Sequence, residues 1–288
     1  MIRILQFCAV VCLATALAVV AGAQELRVPS SAIAGEEATI PTTGSGKATF
    51  YLAGPGVAQK SDVTLGEEIH IAAHDLQYAG DYTAILCSDE CHSASFYVTA
   101  GKATNIIFLV HPSRVPVAQG DAVSGVAFPF DRYHNLVTAP LNVNFLLTAK
   151  DASLWSRGVP THGGVAWFRT SSGKSAGPVQ AVASLDDESV KRVVQQVASD
   201  PCNLRITGER TGAGILVQTE PVHDCAGNVV PDGTIVTFTS TGPDGKGTVD
   251  APVKQGIARA KIESPGASTI SVASGVVLGN EVKIGARP

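Results

Sequence analysis

Short runs in which apolar and polar residues alternate recur along the chain. Glu37–Pro41, Ala48–Leu52, Glu68–Ala72, Tyr82–Leu86 and Ser95–Thr99 each read as a strand, and Gly, Pro, Asn or Asp usually separates them. The segment HDCAGNVVPDGTIVTFTST, His223 to Thr241, reads as a turn followed by a strand. In that strand Ile235 and Thr237 point to one face and Val236 and Phe238 to the other, because side chains alternate with a period of two. Its turn residues have distinct tasks. Asp224 and Asn228 can bond nearby backbone groups, and Gly227 can adopt positive φ at little cost. Pro231 fixes φ ahead of the strand, and Gly233 relieves a second bend.

A weaker copy lies upstream. Asp131 and Asn135 match Asp224 and Asn228, and Val137, Val143 and Phe145 match Val230, Val236 and Phe238, all 93 residues apart. Gly164-Val165-Ala166 resembles Gly256-Ile257-Ala258, and Val182-Ala183-Ser184 recurs as Val272-Ala273-Ser274. A self-match of this length has the size of a sandwich domain, not of a solenoid repeat. The copy settles one ambiguous segment. Val190, Val193, Val194 and Val197 stand at helical spacing, yet the corresponding Val276–Ile284 alternates and valine is a mediocre helix former. We read Val190–Ala198 as a strand.

Composition adds the class of chain. Of 288 residues, 45% are hydrophobic and 16% charged, with Val, Ile and Thr frequent, which suits pleated sheets. The net charge of −4 argues against a nucleic-acid partner, which would call for a basic face. Arg3, the apolar Ile4–Val20 and the small-x-small Ala21-Gly22-Ala23 read as a signal peptide, residues 1–23, cut after Ala23. An uncleaved anchor is the alternative; no other stretch is long and apolar enough to span a bilayer. Cleavage would leave Cys87, Cys91, Cys202 and Cys225, an even number that suggests two disulfides in an exported chain, with three pairings open at this point.

The motif Asp-x-x-Gly-Asn-x-Val-Pro-Asp-Gly-Thr-x-Val-Thr-Phe, Asp224 to Phe238, resembles the bacterial immunoglobulin-like domains of the invasin and intimin type. The match covers Asp200–Pro288 well and Ala103–Ser199 loosely, since there the Gly and the Pro-Asp-Gly turn are missing. In the first domain Ala79–Ala84 resembles the tyrosine-corner stretch of immunoglobulin-like domains, with Tyr82 at the start of the sixth strand. The resemblance implies an all-β chain of three tandem immunoglobulin-like β-sandwiches, 24–102, 103–199 and 200–288, used as spacer or adhesive modules and carrying no catalytic residues. In that topology Cys202 and Cys225 become neighbours, and Cys87 and Cys91 flank the last hairpin of the first domain. Metal binding by the Cys-x3-Cys pair is the rival reading of the latter.

Other candidates are weaker. His70 and His74 would face one side of a strand as a metal pair without a third ligand. Asp186-Asp187-Glu188, at the end expected to carry Asp131, reads as solvated like charges; Ca²⁺ between the first and second domains is the alternative, and no other cofactor is expected. Exposed aromatics that would serve a carbohydrate-binding module reduce to Trp155, Trp167 and Tyr133, with Trp167 expected in the core. The expected chain is therefore exported to the periplasm, the cell surface or the medium. It is non-catalytic and engages a protein or cell-surface polysaccharide. Ala198-Ser199-Asp200-Pro201 is a short junction that proline stiffens.

Overall fold

A computed structural model of the chain describes residues 26–150, 152–212, 214–243 and 245–286. The signal peptide expected at 1–23, with Cys8 and Cys12, lies outside them. Described secondary structure is strand throughout apart from one 3₁₀ turn, Ala73–Leu76. The chain divides into two compact units, one ending at Asn105 and including Pro129–Thr138, the other made of Ile106–Phe128 with Ala139 onward.

In the first unit a five-stranded sheet has the order Ser31–Ile33, Cys91–Thr99, Gly80–Cys87, Lys47–Gly54, Val57–Thr64. Its first pairing is parallel and the others antiparallel. An antiparallel pair of Ala38–Pro41 with Glu68–Ile71 forms the facing layer. Between the layers lie Ile40, Leu52, Leu76, Tyr82, Leu86 and Val98, all essentially inaccessible. The alternation that predicts these strands is the alternation that fills this core. Val57–Thr64 escaped that pattern because it is an edge strand with mostly exposed, polar residues.

The second unit repeats the same sheet order with Arg114–Pro116, Glu188–Val197, Gly177–Leu185, Asn142–Ala149 and Ala152–Pro160, again opening on a parallel pair. Residues 188–196 pair with Gly177–Leu185 without a break, so the helical spacing of the valines loses to the sheet. Phe145 and Phe168 pack at 4.8 Å between centroids, and Phe108 stands 5.7 Å from Phe145. Further along, Gly245–Pro252, Ile235–Gly242, Ser268–Ser274 and Val277–Ile284 form a sheet facing Ile206–Thr211, Gly214–Thr219 and Arg259–Glu263. Phe238, Val236, Ile215, Val217 and Ile270 fill that core, while Ile235 on the opposite face is half exposed.

Candidate functional site

The two Asp-x3-Asn turns make more contacts than chain reversal requires. In the first, Asp131 accepts hydrogen bonds at Oδ1 from the N–H groups of Tyr133 and Asn135, each at 2.9 Å, which closes the turn. Its other oxygen reaches away to accept from the Gly101 N–H at 2.9 Å. Asn135 faces outward as a fork. Its Oδ1 accepts from the Ala79 N–H at 2.8 Å, and its Nδ2 donates to the Gln77 carbonyl and to Asp131 Oδ2, also at 2.8 Å. The side-chain amide thus pairs with the backbone of residues 77 and 79 as a strand neighbour would.

The second turn repeats these partners, except that Asn228 Nδ2 is shared between both Asp224 oxygens at 3.1 and 3.2 Å. Asp224 Oδ1 accepts from the Ala226 and Asn228 N–H groups, and Oδ2 accepts from the Ser199 N–H at 3.0 Å. Asn228 Oδ1 accepts from the Ala176 N–H, and Nδ2 donates to the Lys174 carbonyl, both at 2.8 Å. Gln77-x-Ala79 and Lys174-x-Ala176 each stand immediately before a strand that opens on a glycine with positive φ, Gly80 or Gly177. Sequence reasoning missed these receiving segments. The recurring Ala-Gly was the only signal, and the partners are backbone groups, which carry no residue signature.

Both aspartates are buried. Burial raises the Asp131 carboxyl, but hydrogen bonds from the Asn135 side chain and the Gly101, Asn135 and Tyr133 N–H groups outweigh it and hold the pKa below the ordinary value. Asp224 is depressed likewise: burial opposes, and donors on Asn228, Ser199 and Ala226 prevail. Two charge-assisted clamps therefore stay ionised in the folded state.

The remaining turn residues fall around this frame. Gly227 has φ +86°, and its counterpart His134 takes the same left-handed conformation at φ +66° although it carries a side chain. Gly233, at φ +91°, donates to the Val253 carbonyl, and the Pro231 carbonyl accepts from the Thr234 hydroxyl. Tyr82 is fully buried with its hydroxyl 3.0 Å from the Tyr78 carbonyl and 3.3 Å from that of Pro55. Burial is the main cause that raises its pKa. Disulfides join Cys87 to Cys91 and Cys202 to Cys225, four and 23 residues apart.

Several expectations are corrected. Trp167 is 65% exposed, not core: Ala166 and Phe168 on either side point inward, so a period of two turns Trp167 out. Trp155 is half-buried against Phe168, with ring centroids 4.8 Å apart. Tyr133 is no free platform either, because its ring packs on Gly35 against the first unit's core with the Arg132 guanidinium 4.6 Å from its centroid. His70 lies on Glu68–Ile71 but His74 lies in the 3₁₀ turn 3.3 Å from Asp75, so the two do not share a strand face. Asp186 and Asp187 form the hairpin turn before Glu188–Val197. Among the described residues no group of three acids, histidines or cysteines is placed to hold a metal ion.

No protein-family model matches the chain, and no curated protein matches it in sequence. Solved structures do. FdeC, described as an Escherichia coli adhesin, superposes with a TM-score of 0.62 at 12% identity over 92% of this chain and 99% of that one. The fold is that of the bacterial immunoglobulin-like proteins. Invasin, described as a bacterial integrin-binding protein, gives 0.53 at 12% identity over 92% of this chain; the match spans 60% of the invasin chain.

Proposed function

We propose that the chain is an exported, non-catalytic spacer and adhesion protein of three immunoglobulin-like sandwiches, 24–102, 103–199 and 200–288. The observation that supports this reading is the duplicated Asp–Asn clamp. In that division each clamp belongs to the later sandwich, while Gln77, Ala79, Lys174 and Ala176 belong to the earlier one. Ser199 is the last residue of its sandwich and Gly101 the last but one. The same five hydrogen-bonding positions thus recur where one sandwich gives way to the next, and they consume the polar side chains that would otherwise suggest chemistry. The work of such a chain is to present the surfaces of its modules.

Export is supported by the two disulfides, which persist in oxidising compartments. Mass spectrometry of the mature N-terminus with protease shaving of intact producing cells tests this part of the reading. A start at Gln24 and a shaved surface pool support it; a wholly intracellular chain with free thiols sinks it.

A polysaccharide-binding role is the second reading, and one observation favours it. Trp167 stands exposed on the same sheet as Leu109 and Ile107, which are 54% and 45% exposed. Glycan-array binding that disappears in Trp167→Ala supports that role, and binding unaffected by the change removes the platform from it.

A further inference from the structure

A cleft of about 620 Å³ opens in the second unit at one end of its five-stranded sheet. Its walls are mostly apolar, with Val123, Leu147, Val179, Val194 and Leu154 contributing, and Trp155 lines it with Phe168 packed on the indole. Gln196 also lines it. That side chain is 2% exposed, and its Oε1 is the buried side-chain acceptor without a hydrogen-bond partner among the described residues. Buried acceptors are almost always satisfied, and an orphan one is costly to keep. Gly173 leaves the amide room: a Cβ there would stand 3.2 Å from both Gln196 amide atoms and 3.3 Å from Leu154 Cδ1.

We propose that this cleft is a binding site for a flat apolar group carrying a single O–H or N–H donor, the chemistry of a phenol, whether free or as a tyrosine side chain. The volume falls in the range of small-ligand clefts, which pair apolar walls with a few placed polar groups. The indole offers a stacking surface for a ring, and the Gln196 carbonyl takes the donor. A saccharide fits less well. It brings many hydroxyls, and those that face the valine and leucine part of the walls go unpaired. The inference goes beyond the spacer reading and stands on the cleft alone, so either can fail without the other.

The test uses the mature full-length chain carrying Trp167→Phe, which leaves Trp155 as the reporting tryptophan. Fluorescence is titrated with p-cresol, with toluene as the donorless ring, with methyl α-glucoside, and with a tyrosine-containing peptide against its Phe analogue. The proposal expects saturable p-cresol binding at least tenfold tighter than toluene; a Tyr peptide bound above its Phe analogue assigns the phenol to a polypeptide, and peptides bound alike assign it to a free small molecule. In Gln196→Leu the p-cresol preference over toluene disappears while apolar binding remains, and Gly173→Val blocks both. If p-cresol does not saturate, if toluene binds equally well to the unmodified cleft, or if the glucoside binds more tightly than p-cresol, the proposal is wrong.

Discussion

Replacing Asn135 with alanine removes one whole fork of the first clamp. Three hydrogen bonds vanish: from Ala79 N–H, to the Gln77 carbonyl, and to the Asp131 carboxylate, each 2.8 Å long. Neutral bonds contribute about 0.5–1.5 kcal/mol net and bonds to charged groups about 1.5–3. Gln77 and Ala79 are half-buried, so water recovers part of the loss. We expect the local cost to be about 2–4 kcal/mol, which at about 1.4 kcal/mol per decade is roughly a 30- to 700-fold change. Amide hydrogen exchange reads it where it occurs. In Asn135→Ala the Ala79 amide should exchange faster by that factor, while the Ala176 amide, held by the untouched Asn228, keeps its rate. Asn228→Ala should give the mirror-image result. Asn135→Asp should be worse than alanine, because it sets a second carboxylate beside Asp131 and has no N–H to give. If Ala79 protection is unchanged, or both amides respond to either substitution, the clamps do not act as the local devices described here.

Other consequences are equally direct. Because Asp131 and Asp224 have depressed pKa values, their contribution is present in full above the unfolded carboxylate pKa near 3.8 and is lost as pH falls through the lower folded values. Acid unfolding followed by tryptophan fluorescence should therefore be less steep in Asp224→Asn than in the parent below pH 4. Tyr82→Phe leaves the Tyr78 and Pro55 carbonyls without their buried donor and should destabilise the first unit by about 1–3 kcal/mol in urea unfolding. His134→Gly removes a left-handed β-carbon, a gain of about 1–2 kcal/mol offset by about 0.5–1 for glycine entropy, so a small stabilisation should appear in the same assay. Cys202→Ser with Cys225→Ser opens a loop whose closure contributes about 3 kcal/mol, and the loss should appear as earlier unfolding of the strands from Ile206 onward.

Much of the fold was legible because burial imposes a period. Val236 and Phe238 announce their strand, and the spacing that links them to Val143 and Phe145 carries the reading into a segment with weaker turn signals. The valines of Glu188–Val197 show the limit of that logic: their spacing fits a helix, and only the comparison with Val276–Ile284 restores the strand. Edge strands such as Val57–Thr64 and Ala152–Pro160 were illegible because solvent on most sides removes the alternation. At the clamps the sequence marked the right residues for half of their work. Asp131 and Asn135 do close a turn, but what their outer atoms hold is backbone at Gln77, Ala79 and Gly101, which no side-chain pattern records. Trp167 was misplaced because it follows the repeated Gly-x-Ala strand pattern, whereas its inward-pointing neighbours Ala166 and Phe168 set the parity of the strand.

The central claim is that two ionised Asp–Asn pairs each pin the backbone segments they reach, at Ala79 and Gly101 and at Ala176 and Ser199. Backbone ¹⁵N relaxation of the mature protein tests it most directly at Gly101 and Ser199, whose N–H groups the aspartates hold. Order parameters near 0.85 at both, falling below about 0.6 at Gly101 in Asp131→Ala and at Ser199 in Asp224→Ala, are the predicted outcome. Values already below about 0.6 in the unmodified chain, or unmoved by either substitution, would contradict it.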